Sequence, residues 1–272
     1  MRPLSPLVER QIARGTAALL ACGSTGEASA LSAPEAARVV RIVVRSAAGR
    51  VPVIAGCTAS DTARSVPLAE DASRGGADVL LCAPPPYVKP SQEGIAAHIR
   101  AVAHATSLPV LIYDVPTRVG VAIADATVAR LFADELIVGI KDATADLSRP
   151  PCLRALCGAD LLQYSGDDAT AAAHRAMGGA GCISVTANVV PKLCAALHRA
   201  WDVGDLEAFA RLRDQLDPLK AALAELGLCA DTARLPLLCA SSATLDRLRA
   251  VLPSDAAAKP RLGQVPRFAL AS

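Results

Sequence analysis

The stretch Leu136-Ile137-Val138-Gly139-Ile140-Lys141 decides the fold. Its apolar run is unbroken and closes on a single cation, the pattern of a strand covered on both faces that hands over to a loop. Residues 137–141 therefore read as a buried strand. Six further short apolar runs share this character, at residues 17–22, 51–56, 78–83, 110–115, 161–166 and 181–186. Successive runs end roughly 20–35 residues apart, about the length of a βα unit. The segments between them carry amphipathic helical patterning. Ser32-Ala33-Pro34-Glu35 opens one such helix with a capping Ser, a Pro and a Glu, and Ser91-Gln92-Glu93-Gly94 opens another.

Seven βα units with continuous apolar strands predict a parallel sheet covered by helices. A doubly wound open sheet and a (β/α)8 barrel both satisfy that pattern. No G-x-G-x-x-G and no Walker loop follows any of the strands, which removes the main support for nucleotide-binding versions of the open sheet. Polar and reactive residues gather instead behind several different strands, at Ser24-Thr25, Thr58, Tyr87, Tyr113, Lys141, Asp167 and Thr186. The carboxyl-end face of a barrel draws its chemistry from many strand ends in this manner, and the barrel is the better reading. After Thr186 the pattern turns helical, at residues 191–203, 205–224 and 242–251. We therefore divide the chain into a barrel region, 1–188, a C-terminal helical appendage, 189–252, and a loosely ordered tail, 253–272.

Composition narrows the function. The 272 residues are 52% hydrophobic and only 3% aromatic, so the core is built from Ala, Leu, Val and Ile. A formal net charge of +2, with Arg spread among carboxylates, gives no case for nucleic acid or for an anionic membrane surface. No stretch reaches membrane-spanning length and the first residues lack a signal-peptide core, so a cytoplasmic protein is expected. The nine Cys include no C-x-x-C, and Cys22, Cys57, Cys82 and Cys182 lie inside apolar runs as small buried hydrophobes. The four His, at 98, 104, 174 and 198, lack ligand spacing. No metal and no cofactor is expected.

Lys141 then stands out. Of 28 Lys and Arg only five are Lys, and one of these ends a core strand. Arg stays protonated near neutral pH, whereas a desolvated Lys can become a free-amine nucleophile. A snorkelling or salt-bridged lysine is the alternative. Other strands end on further candidates. Gly23-Ser24-Thr25-Gly26-Glu27 could converge backbone amides and hydroxyls on an anion, or serve only as a strand-to-helix turn. Tyr113-Asp114-Val115-Pro116-Thr117-Arg118 offers a phenol for proton relay and a guanidinium for a carboxylate. Gly166-Asp167-Asp168 and the run from Gly178 to Asn188 complete the ring.

Taken in order, Gly-Ser-Thr-Gly-Glu, Tyr-Asp-Val-Pro-Thr-Arg, Gly-Ile-Lys-Asp-Ala-Thr, Gly-Asp-Asp and Gly-Cys-Ile-Ser-Val-Thr-Ala-Asn resemble the dihydrodipicolinate synthase / N-acetylneuraminate lyase family. The resemblance runs from about Gly15 to Asn188, with a weaker echo at residues 228–236. It implies a TIM barrel and a class I pyruvate aldolase. Lys141 would form an imine with pyruvate, and its pKa must then fall well below the ~10.4 of a free Lys. Thr25 would hold the pyruvate carboxylate. Tyr113 would shuttle protons, linked through Ser24 to Tyr87, and in the synthase branch that last Tyr reaches in from a neighbouring subunit. A homo-oligomer, dimer or tetramer, is therefore expected. Backbone groups at Gly166 and Ile183 would line the pocket.

Arg118 points to the synthase branch, where it would pair with the carboxylate of an amino-acid aldehyde. The resemblance thus implies condensation of pyruvate with L-aspartate 4-semialdehyde, on the route to diaminopimelate and lysine. Another pyruvate aldolase acting on a keto-sugar acid, and a catalytically silent member of the family, are the alternatives. Three departures accompany the match. The family's first strand is not visible before the helix-like residues 5–14, so one of eight barrel strands is expected to be missing. A Pro-containing segment and helix are absent after residues 219–227. Ser29, Ala33, Ala36 and Arg64 replace polar and acidic effector contacts, so inhibition by lysine is not expected.

Overall fold

The computed structural model describes the backbone of residues 4–226 and the side chains of residues 4–216. The expected helix at 242–251, the echo at 228–236 and the tail from Pro253 lie outside the described residues. Helix α1 (Leu4–Ala13) comes first, followed by β1 (Leu19–Ala21), α2 (Ala33–Ala47), β2 (Val53–Gly56), α3 (Thr62–Arg74), β3 (Val79–Cys82) and α4 (Gln92–His104). The chain continues with β4 (Val110–Asp114), the short α5 (Pro116–Val119), α6 (Asp125–Ala133), β5 (Gly139–Asp142), α7 (Arg149–Cys157) and β6 (Leu162–Ser165). Last come α8 (Ala171–Ala176), β7 (Gly181–Cys182), α9 (Pro191–Asp202) and α10 (Leu206–Leu226). Among the described residues the seven strands form one parallel sheet in which each pairs with the next, in the order β1 to β7. The sheet curls into a half-barrel.

The pleat sorts the strand residues between two layers. Ala55, Leu80, Ile112 and Ile140 face outward and pack with Val40, Ile99, Val128 and Leu131 of the helices. Their neighbours Ile54, Leu81, Leu111 and Tyr113 face inward, where Leu20, Val138, Tyr164 and Ile183 join them. Both expected helix starts hold. Glu35 accepts from the Ser32 amide at 2.9 Å, and Ser91 accepts from the Gly94 amide at 3.2 Å, so orphan donors of α2 and α4 are satisfied.

All seven strands differ in extent from the sequence expectation, most by a residue or two at their ends, and at three of them the change has a clear local setting. Strand β1 stops before Cys22, which turns to a φ of +56°. Strand β5 is displaced toward Asp142, so Lys141 is its penultimate residue rather than its last. Strand β7 spans only Gly181–Cys182, because the Asp168 carboxylate takes the amides of Val185 (2.8 Å) and Thr186 (2.9 Å) away from the ladder.

Helix α1 reaches across to the segment after β7. Arg10 donates to the carbonyls of Asn188 (2.8 Å) and Val189 (2.7 Å), and Gln11 donates to that of Ala187 (2.9 Å). At the other end, α9 and α10 pack through Trp201 and Phe209, whose ring centroids lie 5.0 Å apart.

Gly139 is required by the close approach of β5 and β6, since a Cβ there would lie 2.3 Å from the Leu162 carbonyl oxygen. Backbone cannot yield as a flexible side chain can. Gly139→Ala should therefore destabilise the protein by about 1–3 kcal/mol, the usual range for overpacking. Urea unfolding monitored by circular dichroism measures this directly.

Candidate active site

Three strands meet at the site in one register. Tyr113 of β4 lies beside Lys141 of β5, and Lys141 lies beside Tyr164 of β6. All three stand on the inner side of the sheet, because the residues that flank them in sequence face the helices. The Lys141 amine sits 4.1 Å from the centroid of the Tyr113 ring, a cation–π distance when the amine is charged. Gly166 leaves room for the lysine chain. A Cβ at that position would come within 2.9 Å of the Lys141 Cε.

Lys141 is only 8% exposed. Burial brings its pKa down to about 8, Cys182 and Asp168 draw it partly back up, and the Arg118 charge lowers it again. Desolvation wins because stripping water from an ammonium is worth more than two incompletely engaged neighbours return. About half of the amine is uncharged at pH 8 by the definition of a pKa. Burial pushes the Tyr113 phenol up from its ordinary value, and the charge of Arg118 opposes that shift.

The other expected residues divide into two groups. Ser24 and Thr25 form a short 3-10 turn, Ser24–Gly26, directly after β1, with Ser24 exposed and Thr25 half-buried. Arg118 is exposed on α5, close enough to influence both Tyr113 and Lys141. Ile183 packs against the inner cluster, and its amide donates to the Ser165 carbonyl at 2.9 Å. Tyr87 stands apart. It is 93% exposed, with a φ of +76°, in the loop after β3.

Three members of the expected polar ring act as braces. The Thr58 hydroxyl accepts from the Ala83 amide at 2.9 Å and ties two neighbouring loops. Asp167 accepts from the amide and hydroxyl of Thr170 ahead of α8. Thr186 is buried, and its amide belongs to Asp168. Asp168 also accepts from the Ser184 hydroxyl, so one carboxylate both faces Lys141 and orders the loop after β7.

Sequence reasoning passed over Arg149. Its guanidinium donates to Asp114 (2.6 Å), Asp142 (3.2 Å), Asp125 (2.7 Å) and the Ile123 carbonyl (2.6 Å). One signal was available: Tyr113 and Lys141 are each followed by Asp. On a strand buried on both faces, a carboxylate beside an inward residue points at the helices and needs a cation there. Among the described residues, no group of three or more His, Cys, Asp or Glu could hold a metal ion. No described helix is long and apolar enough to cross a membrane.

A profile of the dihydrodipicolinate synthetase family matches residues 2–254. The chain belongs to the dihydrodipicolinate synthetase family. Among its relatives, the 4-hydroxy-tetrahydrodipicolinate synthase of Rhodospirillum centenum is 46% identical over 264 residues, covering 92% of this chain and 91% of the relative. The enzyme of the same name from Hyphomonas neptunium is 48% identical over 246 residues, covering 85% and 84%. The crystal structure of a chloride-inhibited dihydrodipicolinate synthase from Acinetobacter baumannii, complexed with pyruvate, matches with a TM-score of 0.86 at 38% identity, covering 92% and 90% of the two chains.

Within this dihydrodipicolinate synthetase fold, Gly166 tests the placement of the amine. Gly166→Ala would push aside Lys141, a flexible side chain, and press on the Ala143 Cβ at 3.0 Å, so the nucleophile moves at a small cost to the fold. An ångström-scale displacement should lower kcat/KM about 100-fold, with the thermal midpoint nearly unchanged. Parallel steady-state kinetics and thermal melts check both halves of that expectation.

Proposed function

We propose that the chain condenses pyruvate with L-aspartate 4-semialdehyde through an imine on Lys141, the reaction of a 4-hydroxy-tetrahydrodipicolinate synthase. The observation that carries this reading is the buried Lys141 amine, with a pKa near 8, held 4.1 Å from the Tyr113 ring. The free amine adds to the pyruvate ketone, and loss of water gives the imine. Once protonated, the imine accepts electrons from the methyl C–H bond as its proton leaves, giving an enamine. The enamine carbon attacks the aldehyde. The amino group of the acceptor then displaces Lys141 from the imine carbon, closing a ring and freeing the amine.

Each remaining residue has a role by position. Thr25 and the turn around it hold the pyruvate carboxylate at the end of β1. Tyr113 carries protons to and from the carbinolamine, its phenol kept protonated by burial. Arg118, exposed beside that phenol, binds the carboxylate of the semialdehyde. Gly166 and Ile183 line the pocket. Tyr87 and Val88, 93% and 60% exposed, form the tip that we assign to contact with a second copy, delivering Tyr87 to the neighbouring site through Ser24.

We further infer that the strands belong to a (β/α)8 barrel, with chemistry confined to residues 1–188. Activity is placed in the cytoplasm and without feedback by lysine.

Pyruvate followed by borohydride should add one pyruvate-derived mass, and peptide mapping should find it on Lys141. A folded protein that stays unmodified would sink the imine reading and favour a catalytically silent member. The sign of the pH dependence follows from the lowered pKa: the charged amine cannot attack, so kcat/KM for pyruvate should rise with pH and level off above about 8. Arg118→Ala should raise the KM for the semialdehyde about 10–100-fold, the equivalent of one charged hydrogen bond, with pyruvate trapping retained. Turnover of keto-sugar acids instead of the semialdehyde would redirect the assignment to another aldolase.

A further inference from the structure

The mechanism above leaves one buried charged cluster unused, and it lies directly behind the site. Tyr113 and Lys141 face inward from adjacent strands in one register. The next rung, Asp114 beside Asp142, faces outward, with exposures of only 0% and 5%. Two carboxylates on neighbouring strands repel each other, and burial pushes Asp114 up from its ordinary value with the Asp142 charge adding to that shift. The Asp114 Oδ1 finds no hydrogen-bond partner, so the whole compensation falls on Oδ2, which accepts from Arg149 and from the Ile123 amide at 3.1 Å.

Arg149, the first residue of α7 and itself 6% exposed, places a single guanidinium nitrogen on both carboxylates. Its other two nitrogens anchor it to Asp125 and to the Ile123 carbonyl on the α6 side. We propose that Arg149 is a positioning residue for the reaction, clamping the ends of β4 and β5 from behind so that Tyr113 and Lys141 keep their spacing and their shielding from water. A lysine cannot substitute, because it lacks the planar fork that reaches four acceptors at once. The inference rests on reading Lys141 as the imine-forming amine.

The charged and titratable groups around the clamp are Asp114 on β4, Asp142 on β5, Asp125 on α6, Asp146 before α7 and His174 on α8. Those around the amine are Tyr113, Arg118, Asp168 and Cys182. Loosening the strand ends admits water to the Lys141 amine and lifts the desolvation that depresses its pKa. The readout is therefore the pH profile of pyruvate trapping by borohydride at Lys141, measured on folded protein with the thermal midpoint recorded beside it.

Arg149→Lys should trap pyruvate about tenfold more slowly at pH 7, with the midpoint of the profile shifted upward by about half a pH unit or more. The double variant Arg149→Met with Asp114→Asn removes one charge of each sign. It thereby leaves one buried carboxylate fewer without its cation than Arg149→Met alone would, and the same upward shift is expected of it. If either variant folds and its profile overlays the wild-type curve, the clamp is overturned. If the wild-type protein itself does not trap at Lys141, the imine reading falls and the clamp with it, an outcome visible before any variant is made.

Discussion

The pleat of two adjacent strands is the constraint on which the rest depends. Because β4 and β5 share one register, the pairs Tyr113–Lys141 and Asp114–Asp142 must project to opposite sides. Inner chemistry and outer anchorage are thus consecutive residues of the same strands. The outer pair is sustainable only with a cation, since stripping a partner from a buried ion pair costs about 3–5 kcal/mol. Arg149 supplies it, and α7 takes its place over the sheet at the same residue.

The inner side is tuned by an opposite balance. Burial alone would drive Lys141 further toward the neutral amine, and Asp168 limits the effect. The same carboxylate holds the loop after β7 through Ser184, Val185 and Thr186, so one side chain orders that loop and, with Cys182, opposes the burial that lowers the amine's pKa. This sharing explains why β7 is the shortest strand described. Its continuation is spent on Asp168 instead of the ladder.

Much of this was legible in the sequence, and the parts that were not have physical reasons. All seven apolar runs became strands in the expected order, since unbroken Val, Leu and Ile runs between amphipathic helices have few other solutions. Their ends were less readable: Cys22 leaves the extended region through its own φ, and Val185 and Thr186 are captured by a carboxylate from another loop. Lys141, Tyr113, Gly166 and Ile183 came together because strand register brings them together. Arg149 was hard to read because its carboxylate partners lie 7, 24 and 35 residues away and converge only across strands and helices, the Asp after Tyr113 and after Lys141 being its one signal. Thr58, Asp167 and Thr186 looked like chemistry because residues at strand ends also serve as loop braces, and residue type alone does not separate the two uses.

The reach of α1 has a consequence for the order in which the chain can assemble. Arg10 and Gln11 dock on carbonyls 176–179 residues further along. At a synthesis rate of about 5–20 residues per second, those acceptors follow the helix by roughly 10–35 s. Throughout that interval α1 has no partner for its Arg10 and Gln11 donors on the segment after β7, although β1 to β4 can already pair. On a nascent chain the clasp therefore forms only after all seven described strands have been made, and it marks the moment when the two ends of the sheet are first held together.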